Sequence, residues 1–354
     1  MESLLKQEQT TAKLKKSEKI IKNKKAYREE LNPLLDASVK TADPYRVCWF
    51  VNYFSISSML MLSLVAFKLT WEAQLVLGML IGFFNAMVVN SVHEILHGGV
   101  IKDKRWQYAI GLIGFTSILT SVTFWNIWHN EMHHERTQQG RLDPLAWPSL
   151  DDYQKNKWQQ KIFALTPGSG TRASYFFFFF WFSASMFIGQ FYLRFKMKNI
   201  TLRQHILISL ENAVQIGVWA AALYLIPSSL WIFCLVVPFL VQNYFLSSYQ
   251  MLEHSLMPIT EENDVLVNTM SINNFPLNIL HHFSGYNVEH YLYPEVPFSR
   301  LPKLKKIVMD KYKDKYKTLS KWKAIYLLYQ TPRVYKNNKE FIHPETHKVV
   351  SLKE

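Results

Sequence analysis

The chain has 354 residues and a mass of 41.7 kDa. Lys and Arg number 40 against 27 Asp and Glu, a formal charge of +13, while 49% of residues are apolar and 15% aromatic. These values exclude intrinsic disorder, a collagen-like fibre and a small disulfide scaffold.

The first 46 residues carry a mixed Lys/Glu pattern, expected as a solvated helix or, alternatively, as a contact with anionic lipid headgroups. No charge-poor run with a small-residue cleavage site opens the chain, so a signal peptide is not expected. Apolar blocks follow near residues 47–67, 73–92, 109–124, 173–193, 206–226 and 230–249. Several reach the roughly 20 residues that a helix needs to cross about 30 Å of hydrocarbon. Cys48 and Cys234 lie in these apolar runs and are expected as buried thiols, not a bridge, so they do not set the compartment. The FFFFF run at 176–180 is expected to face lipid or the interface. Asn85, Asn90, Glu211, Asn212 and Gln215 interrupt the blocks and are expected to face other helices or a cavity.

Lys and Arg crowd the N-terminus, the stretch 194–203 and the tail from Arg300, whereas the turns at 68–72 and 227–229 are short and nearly uncharged. The positive-inside rule therefore puts both termini in the cytoplasm. Blocks 109–124 and 173–193 fit this arithmetic only if they re-enter or lie along the interface. The expected fold is an all-α membrane protein: four transmembrane helices in two hairpins, re-entrant or interfacial helices, and a cytoplasmic helical cap carrying the histidines. Residues 1–45 form a basic N-terminal segment, 46–304 the membrane domain and 305–354 a basic cytoplasmic tail. The stretch 144–167 is expected as a cytoplasmic loop.

Of 12 histidines, nine fall in or near clusters. His93 and His97 stand in HEILH; His129, His133 and His134 in HNEMHH; His281, His282 and His290 in HHFSGYNVEHYLYP; His254 in QMLEH. Residues four apart share one helix face, so His93/His97 and His129/His133 are each expected to aim two rings at one place, with His134 reaching a second ion. Each cluster abuts the cytoplasmic end of an apolar block, so all can meet on one side of the membrane. Ionisable groups at such depth are functional candidates, and imidazole suits Zn, Fe, Cu and Ni. HEILH also reads as HExxH, the zinc-protease helix in which Glu94 would act as base. That reading leaves HNEMHH, His254 and His290 unexplained. So many candidate ligands exceed one tetrahedral zinc and suit two ions with open positions for oxygen.

HxxxH, then HxxxHH, then a third histidine element after two more membrane helices resembles the membrane fatty acid desaturase superfamily. The resemblance runs from about residue 50 to 304. HHERTQQGRLDP is similar to the stretch after the family's second box, and GYNVEHYLYPEVPFSRLPKL to its third box and Pro-rich segment. It implies a non-haem di-iron centre at the cytoplasmic face, with His93, His97, His129, His133, His134 and His290 on ligand positions. Gln250 and His254 fall where some members have a polar residue and a ligand histidine. The third box departs from the family's pattern: Asn287 stands for its first His or Gln, and Tyr291 replaces its last His. Asn287 acts through a water, Tyr291 binds as a phenolate, His281 or His282 compensates, or the site is damaged; the sequence leaves these open. Glu94, Glu131, Glu135, Asp143 and Glu289 are expected as acceptors for imidazole N–H groups, or as plain surface charge. Trp125 and Trp128 wall the site or sit at headgroup level.

The resemblance implies O2-dependent oxidation of a fatty acyl chain (lipid, free acid or thioester), with desaturation the first reading. Hydroxylation and terminal-alkene-forming decarboxylation are alternatives within the superfamily. No side-chain acid or base attacks an unactivated C–H bond, so two irons must carry the chemistry, with O2 as co-substrate. No haem-binding HPGG element is present, so a separate ferredoxin or cytochrome b5 with its reductase would deliver electrons, steered by the basic surface. A nucleic-acid partner is not expected.

Overall fold

The computed structural model describes residues 22–352, so residues 1–21 of the Lys/Glu-rich N-terminal stretch lie outside the described residues. Its described end forms α1 (Lys24–Leu31), where the Asn23 side chain accepts from the Ala26 amide. Then come α2 (Val47–Ala66) and α3 (Trp71–Leu96). The Thr70 hydroxyl caps α3, and Gly98, at φ +81°, turns the chain away just after His97. Helix α4 (Lys104–Gly114) ends in a break with Leu119 left-handed, and α5 (Val122–Trp125) runs into a π-helical turn, Asn126–His133. The loop expected at 144–167 holds two short helices, Leu150–Lys155 and Lys157–Phe163.

The block at 173–193 is a 3-10 segment, Arg172–Phe179, and α6 (Trp181–Phe191), bent against each other by 74°. A bend that sharp suits a re-entrant or interfacial element. The phenylalanine run is not a lipid-facing surface throughout: Phe176 is exposed, but Phe177 and Phe178 are buried against Met251, Leu252 and Leu328. A 3-10 turn distributes successive rings around its axis, so one run serves both surfaces.

The second pair of spans is α7 (Leu202–Leu225), opened by a Thr201/Gln204 capping box, and α8 (Val237–His254). Among the described residues, four helices, Ala37–Ala66, Trp71–Leu96, Leu202–Leu225 and Ile232–His254, are long and apolar enough to cross a membrane. Together with the family relationship established below, they make this a helical membrane protein. Their outward faces carry exposed Met59, Leu62, Val214 and Leu225, as lipid-facing helices do. Cys48 is exposed on α2, correcting the expected burial; Cys234 is buried, and both are free thiols.

Helix α3 packs through Gly82 against α8 and through Gly78 against the π-helical segment before it, Ile232–Val236; an added Cβ would lie 2.6 Å from the carbonyl oxygens of Pro238 and Phe233 respectively. This small-xxx-small seam lets the two backbones touch. Of the polar residues singled out in the spans, Asn90, Glu211, Asn212 and Gln215 are buried, and Asn85 is half-buried, accepting from Ser57 Oγ at 2.7 Å. Glu211 accepts from Ser121 Oγ at 2.6 Å and Thr123 Oγ1 at 2.6 Å, and Gln215 donates to the Thr120 carbonyl at 2.9 Å. These bonds tie α7 to the start of α5.

The cap contains α9 (Asn287–Leu292), α10 (Leu301–Tyr312) and α11 (Lys321–Gln330). It is not helical throughout. A parallel pair joins β1 (Ser271–Asn273) to β2 (Thr318–Ser320), and β3 (Tyr335–Asn337), β4 (Glu340–Ile342) and β5 (Val349–Ser351) form an antiparallel sheet. Segments from both ends of the chain enter its core. Tyr27 and Leu31 of α1 pack with Val288, Tyr291 and Leu304, and Arg333 is wholly buried, donating to the Thr331 and Ser255 carbonyls.

Candidate metal centre

The C-terminal ends of α3 and α8 and the start of α2 lie at one end of the bundle, opposite the turns before Trp71 and after Leu225. His93 and His97 sit on the last turn of α3, and His254 ends α8. The π-helical turn adds three rings and α9 adds His290. The clusters thus converge from four separate elements.

They converge as two groups. His93, His97, His129, His134 and His290 form the first, and His133, Glu253 and His254 the second; within each, one ligand atom per residue lies within 4.8 Å of every other. In the first, His129 Nε2 lies 2.9 Å from His93 Nε2 and 3.0 Å from His134 Nε2. The expected pairing of His129 with His133 is therefore not what forms. The turn is π-helical, with His134 N–H donating to the His129 carbonyl at 2.9 Å. An i→i+5 turn aligns 129 with 134 and sends His133 to the other group.

The second group is anchored from outside. His133 Nδ1 donates to Asp143 at 2.7 Å, and His254 Nδ1 to the Asn268 carbonyl at 2.9 Å. Each bond fixes the tautomer and leaves the Nε2 lone pair aimed at Glu253 and Tyr291. Asp143 also accepts from the Gln138 and Leu145 amides, so HHERTQQGRLDP folds as a clamp on His133.

Both groups fit a cation. His97 Nε2, His134 Nδ1, both His290 nitrogens and His254 Nε2 are buried without a hydrogen-bond partner. Such orphaned atoms are costly unless something between them accepts their lone pairs. Burial, and then the neighbouring imidazoles, hold His97, His129, His134 and His290 well below the ordinary histidine range. They stay neutral, the form that ligates. The Trp125 ring stacks on His129 at 4.5 Å, and Trp125 and Trp128 both wall the site.

Other expected residues lie elsewhere. Glu94 takes Arg46 at 2.6 and 2.9 Å, His282 Nε2 at 2.8 Å and the Phe298 amide at 2.6 Å. A carboxylate so committed is not a free base beside a metal, and the zinc-protease arrangement of HEILH does not form. His282 is held by Glu94, and His281 Nδ1 meets the Tyr249 hydroxyl at 2.6 Å, so neither joins the two groups. Glu289 accepts from Ser271 and Tyr316 rather than from an imidazole, and burial raises its pKa. Glu131 and Glu135 are exposed surface charges. Asn287 is buried and donates to the Met270 carbonyl at 3.1 Å, and Gln250 lines the cavity beside the second group. Sequence reading missed Glu253 and Arg46. The signal for Glu253 was an acid next to His254 at the end of an apolar span.

A cavity of about 80 Å³ reaches His93, His129, His133, Glu253 and His290. A larger one of about 610 Å³ shares its Trp128, Leu145 and Gln250 walls and is lined further by Trp147, Trp181 and Ile188.

Buried imidazoles in two convergent sets, at one end of four apolar spans, define a helical membrane protein with a metal-competent histidine centre. The fatty acid desaturase family matches residues 69–322, well over half of the chain, and the chain belongs to that family. It is accordingly an oxidoreductase of fatty acyl oxidation. Among curated proteins no match is found.

Proposed function

We propose that this chain desaturates a fatty acyl chain with O2, using two irons held by the two histidine groups. The observation that carries the reading is the pairing of the groups: five imidazoles beside two more with a carboxylate, of which His93, His129, His133, Glu253 and His290 line one largely apolar cavity. Bound there, the iron pair would supply the oxidising power that takes two hydrogens from adjacent carbons, with external electrons. The chain's own residues do the rest. Asp143 and the Asn268 carbonyl hold His133 and His254 in the ligating tautomer. Trp125, Trp128, Phe182 and Leu246 exclude water from the space beside the metals. The larger cavity has the size of a small-ligand pocket, roughly 300–1,000 Å³, and its apolar walls suit an alkyl chain with Lys196 at the edge for an anionic head.

Electrons come from a separate carrier, a ferredoxin or a cytochrome b5 with its reductase, docking on the basic cap. The positive-inside distribution supports a cytoplasmic cap and two cytoplasmic termini. Lipid profiling of cells with and without the gene, and with His133→Ala, tests the reading. A new double bond that disappears with His133→Ala is expected. A hydroxylated chain or a terminal alkene would transfer the assignment to another oxidation of the same superfamily, and no O2-dependent product would overturn it.

A further inference from the structure

Tyr291 stands where the family resemblance leads one to expect the last histidine of the third box, next to His290 on α9. We infer that Tyr291 is itself a metal ligand, its phenolate oxygen completing the second position with His133, Glu253 and His254. The inference rests on the reading of the two groups as a metal pair.

Counting protons leads to it. The Tyr291 hydroxyl oxygen lies 2.5 Å from His133 Nε2 and 2.9 Å from a Glu253 carboxylate oxygen. His133 and His254 each spend their ring proton on Nδ1, toward Asp143 and the Asn268 carbonyl. Neither Nε2 then has a proton to offer, and His254 Nε2 has no hydrogen-bond partner, the nearest Glu253 carboxylate oxygen lying 3.8 Å away. With Glu253 ionised, two imidazole lone pairs, a carboxylate and a phenol share the one phenolic proton. A phenol serving only as a structural donor to Glu253 would leave His133 Nε2 against an oxygen with no proton between them. A cation in place of the proton satisfies all four groups. Its binding forms an oxygen–metal bond and releases the phenolic proton, with no electron transferred.

Packing supports a fixed ligand. The Tyr291 ring stacks on His134 at 4.5 Å and 19° and meets His254 edge-on at 4.5 Å, so the oxygen is held in place from both groups. The two positions would then differ: five neutral imidazoles in one, two imidazoles and two anions in the other. The anionic position would favour the ferric state.

The test uses the purified full-length chain, loaded with Fe(II) under nitrogen and oxidised with ferricyanide, one electron per iron. Bound iron is counted by elemental analysis, and visible absorption and resonance Raman spectra are recorded. A phenolate-to-Fe(III) charge-transfer band with tyrosinate ring vibrations is expected. Its complete loss is expected in Tyr291→Phe, and in Tyr291→His with the iron retained. Should Tyr291→Phe not fold, the wild type and Tyr291→His decide. Iron bound by the wild type without the band overturns the inference and leaves the metal pair standing. A band that survives both variants also overturns it. Failure of the wild type to bind iron overturns both the pair and the ligand.

Discussion

Single side chains at this site act through where their protons go. Asp143 accepts a hydrogen bond from His133 Nδ1 at 2.7 Å, both groups buried, and so sets which nitrogen faces Glu253 and Tyr291. Asp143→Ala is expected to weaken iron binding about 10–100-fold, the usual effect of losing such a partner, read by metal titration. Glu94 is the anion of a buried pair with Arg46. Removing one partner strands the other, so Glu94→Gln should cost about 3–5 kcal/mol, seen as a lowered midpoint of thermal unfolding in detergent. His134 and His290 are buried with pKa values held well below the unfolded histidine value of 6.5. Below that value the unfolded chain takes up protons that the folded chain does not. Stability of the metal-free protein should therefore be fully present above about pH 6.5 and fall as the pH drops, each such histidine contributing up to about 1.4 kcal/mol per pH unit. Unfolding midpoints measured from pH 7.5 to 5 check the sign; a flat profile would contradict it.

Two local features of the elements decide how the site assembles. The π-helical turn Asn126–His133 reassigns HNEMHH, putting His129 and His134 in one group and His133 in the other. The Gly78/Gly82 seam sets the distance between α3, which carries His93 and His97, and α8, which carries Glu253 and His254. A side chain at Gly82 would meet the Pro238 carbonyl and Val241 at under 3 Å. Gly82→Val is therefore expected to push the helices apart, lowering the thermal midpoint and the iron content together. Iron content unchanged beside a lowered midpoint would show that the seam supports stability alone.

Across the whole molecule, the cap is built from several packed clusters: α1 joins the one around Tyr291, and Val334 and Ile342 join another with Phe163. Arg333 donates to the carbonyl of Ser255, directly after His254, and the Tyr335 hydroxyl donates to the Met257 carbonyl at 2.6 Å. Truncation after Tyr316 removes these contacts together with β2 and α11. It is expected to abolish iron retention on gel filtration, and full retention would show that the membrane core holds the site unaided.

The spans, the histidine clusters and the common side on which they meet were legible in the sequence, because helix length, spacing and the parity of crossings are local or countable properties. The departure at Asn287 and Tyr291 was equally visible as a change of residue type. Which rings fall in one group was not, because an α-helical period misassigns a π-helical turn. Nor was the use of Glu94, whose neighbours in HEILH say nothing of Arg46, His282 and Phe298, brought to it by other segments. The sequence by itself determined the inventory of ligands and their depth. The tertiary structure alone decided the partition into two groups and added Glu253, because lone pairs converge only where separate helices are held at a fixed distance and rotation.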